Sequence, residues 1–107
     1  MPTKKKKTWS LLDCAQEHKK HPDRFDVPSS SALSSLKVGD CVKLIFEPLK
    51  ADANLTGERM WVQLTRVPPV GWRGRLDNVP VFIKGLHMGA LIEFESRHVA
   101  DVYRIVS

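Results

Sequence analysis

Apolar residues recur at two periods along this chain, and the change of period divides it. Leu11, Cys14, Ala15 and His18 share one face at helical spacing. Ser10 and Asp13 have the spacing of a capping box, which predicts a short helix over about Leu11 to Lys20. Lys19 and Lys20 fall in its last turn, where cations complement the carbonyl end of the dipole, and Pro22 biases His21 toward extended geometry. Phe25 to Pro28 reads as extended. Ser29, Ser30 and Ser31 then offer hydroxyls to cap a second helical turn carrying Leu33 and Leu36, which Gly39 ends.

From Asp40 the period becomes two. Val42, Leu44 and Phe46 face a core, with Lys43, Ile45 and Glu47 opposite; Met60, Val62 and Leu64 likewise alternate with Trp61, Gln63 and Thr65. Pro48 to Gly57 between these strands is the longest loop inside the body. Pro68-Pro69-Val70-Gly71 turns the chain, because consecutive prolines donate nothing to a ladder. The next strand places Trp72, Gly74 and Leu76 on one face and Arg73, Arg75 and Asp77 on the other. Asp77-Asn78 suits a reversal into a strand over Val79 to Ile83, with Pro80 near its start or on an edge. Beyond the turn at Gly85 and Gly89, Ala90, Ile92 and Phe94 alternate with Leu91, Glu93 and Glu95, and Val102 to Ile105 supplies a last strand.

One device is used twice. Leu36-x-x-Gly39-x-x-Val42-x-Leu44 recurs as Leu86-x-x-Gly89-x-x-Ile92-x-Phe94, so an apolar anchor, a glycine turn and a strand start repeat at identical spacing. The leucine packs beneath the sheet and the glycine permits the change of backbone sign. Five to six short antiparallel strands behind one or two short N-terminal helices define an α+β fold, a strongly bent sheet or small partly open barrel.

Composition supports one ordinary domain: 107 residues, 42% apolar and 27% charged, can bury one modest core. The net charge of +5 suggests nucleic acid until its location is considered. Lys4, Lys5, Lys6 and Lys7 supply four of the seventeen basic residues, and the remaining thirteen face twelve acidic ones. Residues 1–9 therefore read as a flexible basic tail and 10–107 as a nearly neutral domain. Asp13 cuts short the apolar run behind the lysines, too early for an export signal, and no stretch reaches membrane-spanning length. Cys14 and Cys41 lack zinc-site spacing and read as reduced, packed thiols of a cytoplasmic protein.

Several blocks also resemble a known family. Phe25-Asp26-Val27-Pro28-Ser29, Leu36-Lys37-Val38-Gly39-Asp40-Cys41-Val42-Lys43-Leu44-Ile45-Phe46-Glu47, Gly57-Glu58-Arg59-Met60-Trp61-Val62 and Gly74-Arg75-Leu76-Asp77-Asn78 resemble the small bacterial proteins of domain of unknown function 2314. Pro80-Val81-Phe82-Ile83, Gly85-Leu86 and His98-Val99-x-Asp101-Val102 extend the likeness from about Phe25 to the C-terminus. The resemblance implies a bacterial, cytosolic protein with a shared fold and carries over no catalytic residue. A more distant likeness to immunity-type proteins implies neutralisation of a toxin by binding.

No enzyme is expected. Cys41, His98 and Asp101 supply the residue types of a nucleophile, base and orienting acid, but His98 and Asp101 are better explained as a capped turn before the last strand. Nothing has the spacing of a catalytic, cofactor or metal site. Two contact surfaces remain. Arg66, Arg73, Arg75 and Lys84, with Trp61 or Trp72 for stacking and the lysine tail for salt-sensitive attraction, outline a nucleic-acid platform, although Arg73 and Arg75 point away from Trp72. Trp61, Gln63 and Thr65 with Ile45 and Leu91 outline an outward patch for a protein partner or for self-association as a weak homodimer. The expectation is a cytoplasmic, non-enzymatic protein-binding module, monomeric or weakly dimeric, with Trp61, Arg66, Trp72, Arg73 and Arg75 as contact candidates.

Overall fold

The computed structural model describes residues 7–49 and 57–104. Six antiparallel strands form one nearly closed sheet with two short helices, the small partly open α+β barrel that the alternation predicts. Chain order runs β1 (Trp9–Leu11), α1 (Cys14–Lys20), α2 (Ser30–Ser34), β2 (Cys41–Pro48), β3 (Glu58–Arg66), β4 (Trp72–Leu76), β5 (Leu91–Phe94) and β6 (Val99–Tyr103), with a 3-10 turn at Ser96–His98 before β6.

The strands lie in the order β1-β2-β3-β4-β5. β2 is long enough for two neighbours on its far edge: β6 pairs with Cys41 to Leu44, and β1 pairs with Phe46 to Pro48. The outermost strands approach each other where Lys7 and Trp9 share a shallow groove with Arg73, Leu91 and Glu93. Inside, Val42, Leu44, Phe46, Met60, Val62, Leu64, Leu76, Ile92 and Val99 are fully buried. Trp72 is buried as well, its ring stacked 5.8 Å from Phe94 and its indole N–H donated to Ser96 Oγ at 2.9 Å. Burial on this scale is the principal stabilising term, each large apolar side chain contributing about 1.5–3 kcal/mol.

The repeated Leu-x-x-Gly device builds the same structure twice. Leu36 and Leu86 are both buried. Gly39 and Gly89 have φ of +100° and +89°, in the left-handed region. Each closes a turn with the residue behind it, Asp40 N–H to Lys37 O and Ala90 N–H to His87 O, both at 3.0 Å. The turn is then tied to a neighbouring strand by a reciprocal pair of bonds: Gly39 N–H to Leu64 O and Leu64 N–H to Asp40 O in one copy, Gly89 N–H to Leu76 O and Leu76 N–H to Ala90 O in the other. The two copies thus launch β2 onto β3 and β5 onto β4.

Four expectations are corrected. The first helix begins at Cys14, not Leu11: Asp13 is its cap, accepting from Gln16 N–H at 3.0 Å, while Ser10 lies in β1. Asp13 is a strong cap in its own right, and the alternation Trp9-Ser10-Leu11 suits an edge strand, with Trp9 packed edge-on against Phe46. Trp9, placed with the tail by charge, is therefore part of the sheet. Val79 to Ile83 forms no strand, because Pro80 lacks an N–H and side chains take over the pairing. The last strand spans Val99–Tyr103, earlier than Val102 to Ile105, and meets β2 through an irregularity between Lys43 and Leu44. Ile105, Lys4 to Lys6 and positions 50–56 of the predicted loop lie outside the described residues.

At Gly39 and Gly89 a Cβ would meet nothing within 4 Å, so substitution tests backbone conformation alone. Gly39→Ala and Gly89→Ala are each expected to lower unfolding stability by about 1–2 kcal/mol, from the cost of a left-handed L-residue. Urea midpoints read the change, and an unchanged midpoint in both variants contradicts the turn geometry.

Candidate functional site

The segment after β4 is built differently from its predicted strand. Asp77 continues the ladder, donating its N–H to Trp61 O at 2.9 Å. At the next position the Asn78 side chain replaces the backbone, its Oδ1 accepting Trp61 N–H. Pro80 then interrupts donation, and Val81 and Phe82 turn their N–H groups to the two carboxylate oxygens of Glu58, at 2.7 and 2.9 Å. Two side chains thereby hold an irregular backbone against the start of β3. Ile83 is buried and pins the far end, while Val79, Val81 and Phe82 are exposed by 72, 76 and 52%. The segment thus presents three outward apolar side chains on a backbone already held in place.

This segment borders the outer face of the sheet. There Trp61 is half-buried and packs edge-on against Tyr103 with ring centres 6.3 Å apart, while Lys43 Nζ stands 4.9 Å above the Trp61 ring. Cys41, Trp61, Gln63, Asp77 and Tyr103 line an apolar groove of about 490 Å³ beside it. Cross-strand register explains the grouping: Lys43 is opposite Trp61, and Cys41 is opposite both Gln63 and Tyr103.

The five residues singled out from the sequence do not make one surface. Trp61, Arg73 and Arg75 are on the outer face, whereas Trp72 is in the core, on the opposite face from the two arginines. Arg73 lies 2.8 Å and Arg66 3.5 Å from the Glu93 carboxylate. The hydrogen bond and charge of Arg73, reinforced by Arg66, hold Glu93 below the usual carboxylate range. Arg66 also donates to Gly71 O at 3.0 Å, and Arg75 to Gly89 O at 3.2 Å. Phosphate contacts by this trio would compete with contacts already made, and Trp72 offers no ring for a base.

The outward apolar patch is likewise redrawn. Ile45, expected to face out, is buried: Leu12 donates its N–H to Ile45 O, and Gly57 approaches so closely that a Cβ there would come within 2.9 Å of Ile45 Cγ2. Leu91 is exposed as expected. Sequence reasoning missed Glu58, Asn78, Tyr103 and the Val79–Phe82 segment. The available signal was Pro80 itself, which demotes a strand whose other residues favour one.

The Cys14 thiol and the His98 imidazole are engaged structurally. Cys14 donates to His98 O at 3.3 Å, and burial pushes its thiol up to about 11. Burial also raises Cys41. His98 Nδ1 accepts Glu95 N–H at 2.9 Å as part of the cap of the 3-10 turn. The expected capped turn is therefore present, with Glu95 as its cap, and Asp101 lies within β6, accepting Val102 N–H at 2.8 Å. Among the described residues there is no cluster suited to a metal ion and no helix long and apolar enough to cross a membrane.

Two measurements check this geometry. Glu58→Gln removes the charge that holds the segment, so amide exchange at Val81 and Phe82 is expected to accelerate at least about tenfold, a bond to a charged group contributing on the order of 1.5–3 kcal/mol. Unchanged exchange there contradicts the clamp. Burial first, then the Arg97 charge, lowers His98 below its ordinary 6.5, so the unfolded chain takes up a proton more readily than the folded one. Stability from His98 is full above that value and declines as pH falls below it. A urea midpoint that drops between about pH 7.5 and 5.5, with a smaller drop in His98→Gln, is the expected result; equal drops in both chains contradict it. Compared with known proteins, the chain matches no family model, no curated protein and no solved structure.

Proposed function

We propose that the protein is a small cytoplasmic, non-enzymatic module that binds another protein through the Val79–Phe82 segment and the adjoining Trp61–Tyr103 face. The observation that carries this reading is the combination at residues 79–82 of exposed apolar side chains and a backbone already fixed by Glu58 and Asn78. A loop ordered before binding spares much of the entropy that association otherwise costs, and exposed Phe and Val side chains supply apolar area to bury. The half-buried Trp61 and the exposed Tyr103 beside it are side chains of the kind that dominate interface energetics. The likeness to the bacterial family of domain of unknown function 2314 supports a bacterial source, and an immunity-type protein that neutralises a toxin by contact is one form such a module takes.

Immobilised full-length protein should retain a protein partner from its native lysate at both low and high salt, and Phe82→Asp should lose that partner while unfolding at the same temperature as the parent. Loss of at least about tenfold in recovery is the expected scale for removing a central aromatic anchor. Equal recovery by the variant, or recovery of nucleic acid alone at low salt, contradicts the proposal.

A further inference from the structure

A second groove, of about 520 Å³, opens on the same outer face between the segment from Arg24 to Pro28 and the strand β6. Three cations from three separate elements reach it: Arg24 ahead of the extended segment, Lys43 on β2 and Arg59 on β3. None of them takes part in an ion pair among the described residues, where the four ion pairs use Arg66, Arg73 and Arg97. The contacts that orient them are with aromatic rings or an imidazole. Lys43 Nζ stands over Trp61, the Arg59 guanidinium lies 6.0 Å from the centre of the Phe25 ring, and Arg24 Nη2 is 3.1 Å from His21 Nδ1. Aromatic faces orient a cation without neutralising it.

We propose that this groove receives an acidic peptide segment of the partner, with carboxylates met by Arg24, Lys43 and Arg59. The inference rests on the reading of the protein as a protein-binding module and specifies the chemistry of what it binds. Two features select a peptide over a denser anion. Asp26 and Asp101 line the same groove, so the cationic excess is a single charge, which suits carboxylates spaced along a peptide better than the dense charge of a continuous phosphate chain. Val27, Pro28, Ala32 and Val102 give the groove an apolar wall that a bare oxyanion would leave unfilled. Lys43 links the two surfaces, since it borders this groove while its ammonium caps the Trp61 ring.

The probe is a blocked, fluorescein-labelled peptide alternating glutamate and leucine, titrated into the full chain by anisotropy and by amide shifts. Shifts at Lys43, Arg59 and Asp101 are expected. The double variant Lys43→Gln, Arg59→Gln should weaken binding at least about tenfold, Lys43→Arg should retain it, and Asp101→Asn should tighten it. Equal binding by the double variant, or by a glutamine-for-glutamate peptide, overturns the inference. Saturation of the same amides by inorganic phosphate at the peptide's affinity also overturns it, marking a simple oxyanion site. If lysate partner recovery depends on Phe82 while peptide binding ignores Lys43 and Arg59, this inference fails and the protein-binding reading stands. If no protein is recovered at all, that reading fails whatever the peptide does.

Discussion

The fold depends on β3 keeping its two faces apart. Met60, Val62 and Leu64 point into the core, and Arg59, Trp61, Gln63 and Thr65 point away from it. Because successive side chains of a strand alternate, a slip of one residue would put Trp61 and Gln63 inside and expel three fully buried apolar groups. Neighbours on both sides enforce the register. Val62 is opposite Val42 on β2 and opposite Leu76 on β4, so one row of apolar side chains crosses three strands. The arrangement of the outer face, including the approach of Lys43 to Trp61 and of Tyr103 to the same ring, follows from that row being fixed.

Sequence periodicity made the sheet legible because most strands have one wet face. Val42, Leu44, Ile92, Phe94, Trp72 and Leu76 all face inward as their alternation requires, and the recurrence of Leu-x-x-Gly marks two turns that prove alike down to their backbone bonds. Legibility fails where a side chain does the work of a backbone. Val79-Pro80-Val81-Phe82-Ile83 has strand composition, yet the acceptor for its N–H groups is Glu58, more than twenty residues earlier, which no local pattern encodes. It fails again at Ile45, an apolar residue at an outward position, buried because Gly57 and Leu12 close over it. Trp9-Ser10-Leu11 is ambiguous for a third reason: three residues are too few to establish a period, and pairing with Phe46 to Pro48 decides the outcome.

The candidate site was half legible for the same reasons. Trp61 was found because it stands alone among polar outward neighbours. The arginines were found by charge, but charge without pairing is a poor guide: Arg66 and Arg73 converge on Glu93 across β3, β4 and β5, and such a cross-strand cluster is invisible until the register is known. Lys43, Arg59 and Arg24 are not contact candidates on sequence grounds, and only the folded chain shows that they converge on one groove beside Asp26 and Asp101. The contact surface proposed here is thus a product of long-range pairing laid over a locally encoded sheet.

The most direct test of the two-faced sheet is a nuclear Overhauser spectrum of the full chain assigned at its tryptophans. The account predicts cross-peaks from the Trp61 ring to Tyr103 and Lys43, and from Trp72 to Phe94 and Ser96, with no exchange of partners between the two sets. Cross-peaks from Trp61 to core methyls such as Leu44 or Ile92, with Trp72 free of Phe94, would show the faces reversed and contradict the account.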